Sequence, residues 1–226
     1  MSVSLRRTVT NIFLLGSVFL STAFVQADET DINSMLNYIE TRLGDENARQ
    51  KAIEDAEERT LLCKYCHGSD GNSLQPDVPN LAGQNAKYLL EQIEKFATRQ
   101  REDSVMSELA AKFSPEDKVN VAIFYHSMPV KTQTVDEKKA AKGQILYYSV
   151  CNKCHGLEGH GNQKLARLAG QKAGYVMKVL KNFRNNANNP AARLESNRKS
   201  LIMEPVAKDL SDEQIESVAA YVAQMP

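Results

Sequence analysis

The run Cys-x-x-Cys-His occurs twice, as Cys63-Lys-Tyr-Cys66-His67 and as Cys151-Asn-Lys-Cys154-His155, and together the two use every cysteine of the 226-residue chain. In such a run the two thiols can add across the vinyl groups of one haem, and the adjacent imidazole lies under the iron as its proximal ligand. Two copies imply two covalently bound c-type haems. A structural zinc site and a pair of thioredoxin-like dithiols are the competing readings. The first cysteines stand 88 positions apart, wider than zinc pairs usually lie, and neither alternative needs a histidine at the same place twice.

The compartment suits that chemistry. Arg6 and Arg7, the apolar stretch 12–25 and the small-residue site Val25-Gln26-Ala27 read as a secretory signal peptide over residues 1–27. The apolar stretch is 14 residues, short of the roughly 20 that a spanning helix needs. The expectation is a soluble mature chain from Asp28 in an exported compartment, the bacterial periplasm, where thioether bonds protect cysteines from oxidation. Charge is segregated within it. Residues 28–130 carry 11 basic and 19 acidic side chains and residues 131–226 carry 15 and 9, a dipole that can orient encounters with redox partners.

The repeat extends beyond the cysteines. Pro79-Asn-Leu-Ala-Gly83-Gln84 and Tyr88 return as Ala166-Arg-Leu-Ala-Gly170-Gln171 and Tyr175, and Phe96 returns as Phe183, each 87 positions on. Both copies end on a capping serine, Ser114 or Ser211, followed by an amphipathic helix and Met-Pro; the second start reads as a capping box. Helices are also expected over 48–62, 137–150 and 32–43, and no alternating strand pattern occurs. Each half, at about 90 residues, is small for an apolar core, so haem must supply much of it.

The sixth iron ligand is sought among methionines, because His/Met ligation gives the high potentials of electron-carrying cytochromes. Met106 and Met203 each lie eight residues before a capping serine, in a loop able to fold over an open haem face. Met128 and Met225 compete, but sit where they would seal a helix end. His126 is answered in the second copy by Ala223, and His160 in the first by Asn72. Met106 and Met203 are therefore the expected ligands.

On both Cys-x-x-Cys-His-Gly motifs, both Leu-Ala-Gly-Gln-x-x-x-Tyr segments, and a methionine followed by serine and a final helix in each half, residues 48–226 resemble the dihaem cytochrome c4 family. The resemblance implies an all-α fold of two tandem class I cytochrome c domains, here 48–130 and 131–226, with 28–47 as an N-terminal helical extension. It implies haem propionates near the domain interface. The implied partners are redox proteins of the respiratory chain: a quinol-oxidising or dehydrogenase donor and a terminal oxidase or reductase acceptor, with any membrane association made through them.

Some positions depart from the pattern. The resemblance implies a proline carbonyl offered to the proximal imidazole; Pro79 fits in the first copy, but Ala166 stands there in the second. The resemblance also implies a glycine where first and last helices meet; Gly143 fits in the second copy, whereas the residue 88 earlier is Asp55. The interval from tyrosine to methionine grows from 18 to 28 residues, an asparagine-rich insertion expected to be an exposed loop.

Three functions compete: a diffusing electron carrier, a captive electron-transfer subunit of a dehydrogenase or oxidase complex, and a dihaem enzyme such as a peroxidase. An enzyme needs an open iron position or a cysteine ligand, and each iron here has a methionine with no fifth cysteine in the chain. No nucleophile motif or phosphate-binding loop supports other catalysis, and no recognition motif supports nucleic-acid binding. The electron carrier is the expected function.

Overall fold

A computed structural model describes residues 23–226; most of the expected leader, residues 1–22, lies outside the described residues. The described residues form twelve α-helices and one π-helical turn, with an isolated bridge pair, Asn162 and Leu165, and no strand. The first half holds α1 (Ala23–Gly44), α2 (Glu46–Arg59), α3 (Leu61–His67), α4 (Ala86–Ala97), α5 (Met106–Ala110) and α6 (Pro115–His126). The second holds α7 (Glu137–Leu146), the π turn Tyr147–Cys151, α8 (Asn152–His155), α9 (Ala173–Asn188), α10 (Pro190–Glu195), α11 (Met203–Ala207) and α12 (Asp212–Gln224).

Helix starts follow from local donors and acceptors. Ser211 and Gln214 close the capping box expected at α12. A second box closes at α6, because the short Asp117 carboxylate still accepts the Ser114 N–H at 3.1 Å. Each such cap is worth about 1 kcal/mol.

The helix leading into each Cys-x-x-Cys-His run crosses the last helix of its half tightly, α2 on α6 and α7 on α12. A β-carbon at Gly143 would lie 1.9 Å from the Ser217 carbonyl oxygen, so only glycine permits this approach. Its counterpart is not Asp55, which is exposed and bonded to Lys51, but the fully buried Ala56. The reason is the π turn. The Asn152 N–H bonds the carbonyl of Tyr147, five residues back, so one extra residue separates Gly143 from Cys151 and equivalent positions upstream stand 87 apart. That turn also ends α7 at Leu146 rather than Val150, while Thr60 divides the first copy's helix into α2 and α3.

The helix expected over 32–43 lies within the longer α1, which packs on α2, α4 and α6. Met35 and Ile39 enter the first core, and Arg42 donates to Asn120 and Glu116, both at 2.8 Å. A separate, smaller core joins Tyr147, Val176, Val218, Tyr221 and Val222 in the second half.

The halves meet about a local two-fold relation. Gln171 accepts the Asn80 N–H at 2.7 Å and donates to the Asn80 carbonyl at 3.0 Å. Gln84 does the same to Arg167, 87 positions beyond Asn80, at 2.6 and 2.9 Å. Val130 lies between the repeated glycines: β-carbons on Gly83 and Gly170 would come within 2.3 and 2.2 Å of its two γ-methyls.

Candidate functional site

Each Cys-x-x-Cys-His run lies on the short helix that ends at its histidine, α3 in the first half and the π turn with α8 in the second. Gly68 and Gly156 follow at φ +84° and +82°, a left-handed step that suits glycine and turns the chain away. The loop beyond then returns to the imidazole. His67 Nδ1 stands 2.9 Å from the Pro79 carbonyl and His155 Nδ1 the same distance from that of Ala166. The second site therefore keeps its carbonyl acceptor without a proline. An Nδ1–H so held fixes the tautomer and leaves Nε2 as the nitrogen free to ligate.

Met106 and Met203 begin α5 and α11, half-buried in both copies. The Asp103 carboxylate accepts the Met106 N–H, and the Ser200 hydroxyl accepts that of Met203, both at 3.0 Å. The competing pair, Met128 and Met225, lie elsewhere: their sulfurs would stand 3.1 and 3.3 Å from β-carbons on Gly71 and Gly159, beneath the loops after each motif. His126 Nδ1 is engaged by the Gln84 carbonyl at 2.9 Å, and His160 is exposed and shared between Glu158 and Pro226.

Whether these residues suit haem can be tested on their surroundings. Burial raises the thiols of Cys63 and Cys151, the latter to about 11, the opposite of what a zinc thiolate or redox nucleophile requires and no obstacle to a neutral thioether. Among the described residues no three His, Cys, Asp or Glu side chains converge as a metal site. Apolar residues stand exposed at repeat-related points beside the motifs and the methionines: Leu62 and Val150, Val105 and Ile202. A planar apolar group would cover such positions.

Arg101 and Arg198, 97 positions apart, meet on Tyr175 between the halves, and among the described residues neither is paired with a carboxylate. Arg198 donates to Tyr175 and Tyr88, both at 3.0 Å, while Arg101 donates to Tyr175 at 3.1 Å. Phe96 and Phe183 lie beneath the two guanidiniums. Two neighbouring enclosed cations call for anions, and haem propionates are carboxylates. The residues present thus fit the group. The repeated tyrosines were visible in the sequence; the arginines, lost among 28 basic residues, were marked only by the interval shared with Met106 and Met203.

Paired Cys-x-x-Cys-His helices with anchored imidazoles, on an all-helical frame, define a c-type cytochrome. Residues 140–226 match the family model described as cytochrome c. The cytochrome c4 of Thiocapsa roseopersicina is 33% identical over 172 residues, covering 71% of this chain and 85% of that one. The chain belongs to the cytochrome c4 family: it is a dihaem cytochrome carrying covalently bound haem c, an electron carrier and not an enzyme. The crystal structure of reduced recombinant cytochrome c4 from Pseudomonas stutzeri superposes with a TM-score of 0.68 at 27% identity, over 77% of this chain and 98% of that one. A relative described as a thiosulfate dehydrogenase electron acceptor, from Stutzerimonas stutzeri, is 28% identical over 73% of this chain and 79% of its own. Among the described residues no helix is long and apolar enough to cross a membrane.

Proposed function

We propose that the chain is a periplasmic carrier passing single electrons between respiratory redox proteins, exported by a leader at residues 1–27. Residues 28–47 form an extension, 48–130 the first haem domain and 131–226 the second. Cys63 and Cys66 hold the first haem, with His67 and Met106 on its iron; Cys151, Cys154, His155 and Met203 serve the second. Arg101, Arg198, Tyr88 and Tyr175 would receive the propionates. Each haem, once bound, supplies an iron that cycles between ferric and ferrous states. The chain's own residues fix the imidazole tautomer through Pro79 and Ala166, and His67 with Met106 and His155 with Met203 would hold the two irons and deny them to a substrate.

The observation that carries this reading is the identical 2.9 Å carbonyl anchor on both histidines, each in a half that also presents a capped methionine. Redox titration followed by carbon monoxide tests it. Two one-electron steps and no rapid binding are expected, and prompt binding to either reduced haem would overturn it. The relative described as a thiosulfate dehydrogenase electron acceptor supports a second reading, a dedicated acceptor subunit of a dehydrogenase. Copurification with a dehydrogenase from the native membrane or periplasmic fraction favours that reading, and its absence favours the free carrier.

A further inference from the structure

The insertion between Tyr175 and Met203 is not a bare exposed loop. It extends α9 to Asn188, adds α10, and sends two side chains back to the residue after Met203. In the first copy that following residue is Ser107, whose hydroxyl accepts the Asp103 N–H at 3.1 Å and closes the turn carrying Met106. In the second it is Glu204, only 5% exposed, whose carboxylate accepts the equivalent Ser200 N–H at 2.9 Å. A carboxylate enclosed there needs compensation. Arg193 from α10 supplies it through Nε at 2.7 Å from Glu204 Oε2, and Asn186 from α9 donates to Oε1 at 3.3 Å. Asn186 also holds the Arg198 carbonyl at 2.9 Å, tying the same turn at a second point.

We infer that Arg193, Glu204 and Asn186 form a latch on the Met203 segment, so that the second iron keeps its sulfur more firmly than the first. This rests on Met106 and Met203 being the ligands. To leave the iron, Met203 must carry Glu204 with it, away from an enclosed ion pair and two further hydrogen bonds; the residue after Met106 carries only a serine contact, and the nearest ion pair on that segment, Glu108 with Arg99, is exposed to water. The three are positioning residues and touch neither haem chemistry nor each other's counterparts in the first half.

The test uses the full dihaem protein, oxidised, titrated with imidazole while the absorption band reporting sulfur-to-iron bonding is followed. The wild type should lose the band in two steps, and M203A should lack the tighter one. R193Q should lower the imidazole needed for that tighter step by about tenfold, the worth of one charge-assisted hydrogen bond, and leave the Met106 step unmoved. E204S, which installs the first copy's residue, should bring the two steps together, and R193K should restore part of the difference. Arg193 has a side chain 35% exposed, and R193K keeps a cation opposite Glu204 should R193Q fail to fold. Unchanged steps in both R193Q and E204S, or an equal shift of both steps, would overturn the latch alone. A full two-step loss in M203A would remove the ligand assignment beneath it.

Discussion

Replacing Gln171 with leucine tests whether the reciprocal glutamine pairs join the halves. Leucine has nearly the same volume but offers no hydrogen bond. It would orphan the Asn80 N–H and carbonyl, now held at 2.7 and 3.0 Å with Asn80 only 5% exposed, and the Lys172 N–H at 2.9 Å. Two enclosed backbone groups at about 1–3 kcal/mol each, with partial relaxation, give a loss of about 3 kcal/mol. The mirror change, Gln84→Leu, strips Arg167 of bonds at 2.6 and 2.9 Å, but Arg167 is only half-buried and water can replace them, for about 1–2 kcal/mol. Guanidinium denaturation of the haem-loaded variants, followed at both the Soret band and the far-ultraviolet helix signal, reads the effect. Q171L should lower stability more than Q84L and split a single transition into two as the halves uncouple. Equal losses, or less than about 1 kcal/mol in both, would refute the assignment of these glutamines to the interface.

Gly143→Ala should force α7 from α12, since the new methyl meets the Ser217 backbone at 1.9 Å, and cost about 1–3 kcal/mol by thermal unfolding. Ile39→Ala, at a fully buried position of α1, should cost about 2–4 kcal/mol in the same assay while leaving electron-transfer rates unchanged. Burial opposes ionisation of Tyr175, but the Arg198 and Arg101 guanidiniums and their hydrogen bonds outweigh it and bring its pKa down to about 8. A depressed acid of this kind adds stability above the ordinary tyrosine range, near 10, and loses it as pH falls through 8. Propionates on the two arginines remove that drive, so tyrosinate absorption of the haem-loaded protein should show no step near 8; such a step would contradict carboxylates at this place.

The haem motifs, the tandem repeat, the capping serines and the helix from 32 to 43 were legible because each is a local pattern with a fixed spacing. The counterpart of Gly143 was not, because a π turn displaces the register by one residue and pairs it with Ala56 instead of Asp55. Nor could sequence alone show where Arg101, Arg198 and Glu204 go. Their meaning depends on which charges share an enclosed space, and charge in a sequence looks the same whether it faces water or a second guanidinium. The insertion misled for a related reason: its asparagines resemble loop composition, yet Asn186 is 2% exposed and works as a structural donor.

The central claim is that both irons are closed by sulfur from Met106 and Met203. Proton spectra of the fully reduced protein address it directly, since a thioether methyl above a haem plane is shifted far upfield by the ring current. Two such methyl signals should appear, one vanishing in M106A and the other in M203A. A single signal, none, or a pair that disappears only with Met128 and Met225 would contradict the account.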